Sequence, residues 1–253
     1  MYAEERRQVI VDRARRDGRV EVARLAADFA VTTETVRRDL TELEAAGLLR
    51  RVHGGAIPVE RLRHEAAVVE RAARMAAEKA RIAKAALAHV PHDATLLLDA
   101  GTTTQALAAA LPDDRDLTVV TNSLPIATEL APRPRIRLHL LGGRVRERTL
   151  ATVDDWTLRT LRDLTPDVAF VATNGLSVAG GLTTPDPSEA GVKRAMVEAG
   201  RRVVLLADHS KLEQDHFVRF ADVADVDVLI TDAQADPAHC EALEAAGLEV
   251  VRA

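Results

Sequence analysis

Thr33, Thr35, Arg37 and Arg38 fall within one short stretch, and their types suit a single task. An arginine guanidinium bonds guanine through two parallel N–H groups or neutralises a phosphate, and a threonine hydroxyl donates or accepts as a base edge requires. The stretch that holds them, residues 31–46, reads as a helix: Val36, Leu40 and Leu43 recur at i, i+4 and i+7, Thr32 is a suitable N-cap and Gly47 a suitable stop. Glu34, Arg38 and Thr41 then face away from the apolar stripe, with Arg37 on its flank. An ordinary solvated surface helix fits the same pattern, so the neighbouring residues decide. Arg50, Arg51 and His53 follow, just before the turn at Gly54 and Gly55, where they can track a nucleic-acid backbone or the adjoining groove.

A second set gathers where buried strands are expected to end. In Asp99-Ala-Gly-Thr-Thr-Thr104, Gly101 permits close backbone approach and Thr102, Thr103 and Thr104 supply hydroxyls. The helix that starts there attracts an anion through its unpaired N–H groups and dipole, which suits a phosphate. A well-capped connection is the plain alternative. Thr121-Asn122-Ser123, Gly142-Gly143-Arg144, Thr173-Asn174-Gly175 and Asp208-His209-Ser210-Lys211 end four more strands. Short polar groups, glycines and two cations on one sheet edge make a site for a small, oxygen-rich anion.

Other combinations carry less. Asp208-His209-Ser210 holds the residue types of a hydrolase triad, yet three consecutive residues do not converge as a triad must. The eight histidines show no i, i+4 pair, and the single cysteine, Cys240, excludes an internal disulfide and a thiolate cluster. No metal, cofactor or catalytic residue is therefore expected. Trp156 is expected to fill a core or an interface.

The elements that must position these residues differ along the chain. Residues 4–16 and 20–29 read as two short amphipathic helices, the first turning Val9, Ile10 and Ala14 inward and ending at Gly18. They are followed by the Thr/Arg helix and then by two strands about the Gly54 turn, which makes a winged helix-turn-helix. Residues 58–80, charged and alanine-rich without Pro or Gly beyond Pro58, read as a solvated helical linker. From Ile82 onward, strands at 94–99, 117–121, 136–141, 168–173, 202–207 and 226–231 alternate with helices at 103–111, 124–130, 155–164 and 188–199. Nearly all-apolar strands in repeated βα units imply a mostly parallel sheet covered on both faces, with ligands at its carboxyl edge. The domains are then 1–57, a DNA reader; 58–80, the linker; and 81–253, an α/β sensor.

Thr32-x-x-Thr35-Val-Arg-Arg-Asp-Leu40, preceded by Glu5-Arg-Arg-Gln-x-Ile10 and followed by Glu44-x-x-Gly-Leu-Leu-Arg-Arg-Val-His-Gly-Gly-Ala56, resembles the DeoR family of bacterial sugar-metabolism regulators. The resemblance continues through the strand-end motifs, Gly181-Leu-Thr-Thr184 and Glu189-x-x-x-Lys193, to the family's C-terminal sensor, whose fold resembles sugar-phosphate isomerases. It implies phosphate at Gly101 to Thr104, Asp208 and Lys211 near the ligand, and Glu189 and Lys193 as further contacts. Glu189 and Lys193 are equally suited to an i, i+4 ion pair with each other. Ala14, Ala172-Thr173 and residues 152–157 depart from the family pattern. Met1-Tyr-Ala-Glu-Glu-Arg6, Leu124-Pro-Ile-Ala127, Arg144-Val-Arg146 and Thr184-Pro-Asp-Pro187 are similar to actinobacterial fructose-operon repressors, which implies fructose 1-phosphate or a close relative as effector.

The net charge of −5 argues at first against a nucleic-acid partner, but residues 1–55 hold 11 Arg against 10 acids while the remainder is acidic. A local field can thus favour phosphate at the reader. With 47% apolar and 29% charged residues, no apolar run of bilayer length and no signal-peptide pattern, a cytoplasmic protein is expected. The partners implied are double-stranded operator DNA, a phosphorylated sugar and further copies of the chain, because one small reader makes few contacts. The competing readings are an isomerase-like enzyme and a DNA-binding protein with a degenerate sensor.

Overall fold

The computed structural model describes residues 3–17, 19–46, 48–52, 54–58 and 68–253. The chain divides into two compact units, Met1–Glu65 and Ala66–Ala253.

The smaller unit runs α1 (Ala3–Asp17), β1 (Val20–Glu21), α2 (Val22–Asp28), α3 (Thr33–Ala45), β2 (Leu49–Val52) and β3 (Gly55–Pro58). Its core joins Ile10, Val11 and Ala14 of α1 to Leu25 of α2 and Val36, Leu40 and Leu43 of α3. Val11, rather than the expected Val9, completes the buried face of α1, and Val9 is half-buried. Residues 20–21, expected within a helix, instead add a third strand: the sheet order is β1-β3-β2, with Val20 opposite Ala56 and Glu21 opposite Gly55. Only glycine fits at position 55, because a Cβ there would lie 2.0 Å from the Val20 carbonyl oxygen. Gly54 makes the turn with φ +74°. The expected helix stops at Gly18 and Gly47 lie outside the described residues.

The larger unit begins with α4 (Val68–Ala73) and α5 (Ala76–Ala86). The helical character expected of the linker over residues 58–80 is present in its described part and residues 72–77 are exposed, but residues 68–80 belong to the larger unit; residues 59–67 lie outside the described residues. Residues 68–80 pack on the larger unit, and Val68 and Lys79 are buried. The spacing explains it. Lys79, Ile82, Ala83 and Ala86 share one helical face, so the lysine heads the stripe whose apolar members cover the sheet.

Seven strands form the main sheet: β4 (Thr95–Leu98), β5 (Leu117–Thr121), β6 (Ile136–Leu140), β9 (Val168–Ala172), β12 (Val203–Leu206), β14 (Val228–Thr231) and β15 (Glu249–Arg252). Their order is β15-β14-β12-β9-β4-β5-β6, and every pairing is parallel. Apolar clusters cover both faces, one through Leu97, Val171, Leu205 and Leu229 and the other through Leu96, Leu98, Phe170 and Ile230. The strand order reverses between β4 and β9, and such a reversal opens a crevice at the carboxyl edge.

Between the strands run α6 (Thr102–Ala110), α7 (Leu124–Leu130), α8 (Asp155–Leu161), α9 (Pro187–Ala199) and α10 (Pro237–Ala245). Two small antiparallel additions escape the sequence pattern. They are a hairpin of β7 (Arg144–Arg146) and β8 (Ala151–Val153), and a sheet of β10 (Gly175–Ser177), β11 (Gly181–Thr184) and β13 (Val218–Ala221). Trp156 does not fill the core of the chain; it is 73% exposed at the start of α8.

Candidate functional site

In the smaller unit, Thr32 caps α3 by accepting from the Thr35 N–H at 3.2 Å, and its hydroxyl lies 2.9 Å from that of Thr35. Thr33, Arg37 and Arg38 are exposed, and Arg37 approaches the Glu34 carboxylate only to 3.6 Å. Arg38 therefore projects from the solvent face of a helix whose opposite face is locked in the core. Arg50 is half-buried on β2. Arg51 is tied to α3 from both ends: its N–H donates to Glu44 Oε1 at 2.9 Å and its guanidinium to Thr41 Oγ1 at 3.0 Å. The wing strand is thus fixed to the helix it flanks. His53 lies outside the described residues.

Asp39 is the residue that sequence reasoning passed over. Its buried carboxylate accepts from Arg6 Nε at 2.6 Å and Arg7 Nε at 3.1 Å, joining α3 to α1. Arg6, Arg7, Thr35, Arg37, Arg38 and Arg51 help to line an open concavity of about 830 Å³. Such a basic, partly pre-organised surface can hold phosphates while the exposed arginines reach bases.

In the larger unit, the adjacent strands β12, β9, β4, β5 and β6 bring the five expected loops to one edge of the sheet. The centre is the reversal between β4 and β9. There Asp99, fully buried, accepts the Ala172 N–H at 3.0 Å and the Lys193 ammonium, which also donates to the Ala172 carbonyl at 2.9 Å. Burial raises the Asp99 carboxyl above its ordinary value, and the Lys193 charge opposes that rise.

Beside it, α6 starts at Gly101 with no side-chain cap, as α5 and α8 also do, whereas Ser123, Asp186 and Asp236 cap the helices that follow them. The first turn of α6 is accordingly open to an anion. A Cβ on Gly101 would lie 2.9 Å from Ala172 Cβ, so the glycine is needed for close packing at the crevice. Thr102 is half-buried, Thr103 buried, and Thr104 donates its hydroxyl to the carbonyls of Asp99 and Gly101 at 2.6 and 2.9 Å.

Several candidate residues build the edge. Thr121 donates to the Leu98 carbonyl at 2.7 Å, Asn122 accepts the Ala100 N–H at 3.0 Å, and Ser123 accepts the Ile126 N–H at 3.4 Å. Asn174 accepts from the Thr184 hydroxyl at 3.0 Å, and Asp208 from the Ser210 N–H at 3.1 Å. Gly143, with φ +150°, sits where a Cβ would lie 2.6 Å from the Val153 carbonyl oxygen. Arg144 is mostly exposed and pairs with Asp154 at 2.7 Å. Lys211 is half-buried in the loop after β12.

Glu189 and Lys193 do not pair with each other. Glu189 accepts from Arg146 at 3.2 Å and from the Thr149 hydroxyl, while Arg146 also reaches Asp186 at 3.1 Å. Arg146 was legible only as part of a resemblance motif, and its partner lies 43 residues away. Lys79 was missed because a linker was expected there; it is buried, and the charges of Asp208 and Lys211 reach it. Asp232 and His209 form a further pair at 2.9 Å. Burial would raise the Asp232 pKa, but the N–H groups of His209 and Gln234 and the His209 ring hold it below the ordinary carboxylate value. Among the described residues, no group of three His, Cys, Asp or Glu is placed to hold a metal, and no helix is long and apolar enough to cross a membrane.

Comparison with known proteins follows this division. A DeoR-like helix-turn-helix domain matches residues 6–61, and the DeoR C terminal sensor domain matches residues 74–233. The chain is 38% identical to the HTH-type transcriptional regulator GlpR of Haloferax volcanii, over 98% of this chain and 97% of that one. It is 33% identical to the glycerol-3-phosphate regulon repressor of Escherichia coli K12, over 92% of each. Among solved structures, ribose 5-phosphate isomerase A of Methanocaldococcus jannaschii is similar over 55% of each chain, at 16% identity and a TM-score of 0.41. With both family domains matched and relatives at 33% identity or more over nearly the whole chain, this chain belongs to the DeoR family of helix-turn-helix transcription regulators.

Proposed function

We propose that the chain is a cytoplasmic repressor of a sugar or polyol-phosphate operon, released from its operator by a phosphorylated sugar. The observation that carries the effector half is the uncapped start of α6 beside the Asp99–Lys193 pair, at the point where the strand order reverses. A sugar phosphate would set its phosphate on the first turn of α6, with Lys211 as a nearby cation and Asn174, Asp208 and Glu189 toward the sugar hydroxyls. Arg37, Arg38, Thr33 and Thr35 would meet bases and phosphates, with Arg50, Arg51 and His53 along the backbone. Release requires that the effector bind one arrangement of the sensor more tightly than the other. The repressor named for the glycerol-3-phosphate regulon supports a small phosphorylated effector. Fructose 1-phosphate is the first compound to test.

The experiment is a mobility-shift assay on DNA upstream of the protein's own operon, titrated with fructose 1-phosphate, glycerol 3-phosphate and their unphosphorylated parents. Release by a phosphorylated compound alone is expected. Binding unaffected by every phosphate would leave a DNA-binding protein with a degenerate sensor. An isomerase reading would require turnover of pentose or hexose phosphates that is lost in Lys193→Met. The reader unit, which an isomerase does not need, weighs against it.

A further inference from the structure

Residues 68–79 are the first described part of the larger unit after the reader, and near their end Glu78 accepts from Gln234, in the loop after β14, at 3.1 Å. Val68 donates its N–H to the Arg148 carbonyl at 2.8 Å, which fastens the start of α4 to the turn between β7 and β8. That same hairpin supplies Arg146 and Thr149 to Glu189. At the other end, the helix breaks at Met75, which is left-handed with φ +53°, and Lys79 closes the break by donating to the carbonyls of Arg71 and Arg74 at 2.5 and 2.6 Å. Both α4 and α5 pack on α6, the helix that begins at the candidate phosphate turn. Lys79 is buried there, within reach of the charges on the loop after β12.

We propose that residues 68–79 are a latched strap, that Lys79 is its latch, and that an effector phosphate opens it by drawing the Lys79 ammonium from the two carbonyls. The inference rests on the effector reading above and names the part that carries the signal toward the reader. Neutral carbonyls offer the Lys79 ammonium only a charge–dipole attraction, so they compete poorly with a phosphate dianion, which adds the direct attraction of opposite full charges. Without the latch, α4 is a helix of six residues, too short to persist on its own propensity. Lys79 is a positioning residue in the free protein and becomes an effector contact in the bound one.

The test is amide hydrogen exchange on the full chain, read in peptides covering 68–80, with calorimetry and the mobility shift run in parallel. Fructose 1-phosphate and inorganic phosphate are the probes. In the wild type, a saturating phosphorylated compound should speed exchange in the strap at least tenfold while slowing it at 101–105. Lys79→Met should exchange rapidly in the strap without any compound, and its DNA affinity should no longer respond to a compound that calorimetry still detects. Lys79→Arg should restore slow exchange. Val68→Pro, which removes the N–H held by Arg148 together with a buried side chain, should open the strap from the other end, and Val68→Ala, which keeps the N–H, serves as the control for the lost side chain. Unchanged or slowed strap exchange on binding, or a slow strap in both Lys79→Met and Val68→Pro, would overturn the proposal. If no compound binds the wild type, the effector reading fails and the proposed opening by phosphate falls with it; the unliganded variants then report on the latch alone.

Discussion

Two arginines of the reader stand in different settings. Arg38 is exposed on the outer face of α3, whereas Arg51 is held by Thr41 and Glu44. Arg38→Ala is expected to weaken operator binding by about 1–3 kcal/mol and relax sequence preference, because a base contact carries specificity. Arg51→Ala should weaken all sequences alike and lower the salt slope by about one, as loss of a phosphate contact does. Binding isotherms on operator and scrambled DNA at several salt concentrations separate the two, and indistinguishable variants would refute these roles. Lys79 offers a test by pH. Burial pushes its pKa down to about 8, with Lys211, Arg71 and Arg74 adding to the shift and Asp208 opposing it. A lysine whose pKa is depressed by folding binds its proton less tightly in the native state, so stability rises with pH between about 8 and its ordinary value of 10.5. Urea midpoints should increase from pH 8 to pH 10 in the wild type and lose that part of the increase in Lys79→Met.

At the scale of elements, the parts with a single periodic signal were legible. The core stripe of α3 and the buried strands of the sheet follow from spacing alone, since a strand covered on both faces reads as an unbroken apolar run. What stayed hidden had its reason for existing elsewhere in the chain. Residues 20–21 become a strand because β3 lies beside them, and β15, a short edge strand with one charge at each end, is held by its parallel partner β14. Lys79 breaks the apolar rule at the head of a buried stripe, and Trp156 breaks it in the other direction on the surface. Within the candidate site the loops were legible, but their division of labour was not: Thr121, Asn122 and Thr104 hold the backbone of Leu98, Ala100 and Asp99, and Glu189 turns to Arg146. Two element-level outcomes follow. Asp39→Ala leaves Arg6 buried without its carboxylate and should destabilise the reader by about 3–5 kcal/mol, measured by denaturant melts. Gly101→Ala forces α6 away from Ala172 and should weaken effector binding at least tenfold by calorimetry while leaving effector-free DNA affinity unchanged.

The whole molecule joins two compact units with separate cores, so heat need not unfold them together. An effector at ~100 times its dissociation constant should stabilise the larger unit by ~2.7 kcal/mol. Scanning calorimetry should then show one transition moving and the other fixed; two transitions moving equally would mean that the units melt as one. The Asp99–Lys193 pair adds a constraint in time. The carboxylate leaves the ribosome 94 residues ahead of the ammonium that neutralises it. At roughly 5–20 residues per second that is a wait of roughly 5–20 s. Throughout that interval the reader is already fully synthesised, so, on the proposed function, each newborn chain passes through an age at which it has the means to grip an operator and no means of being told to leave.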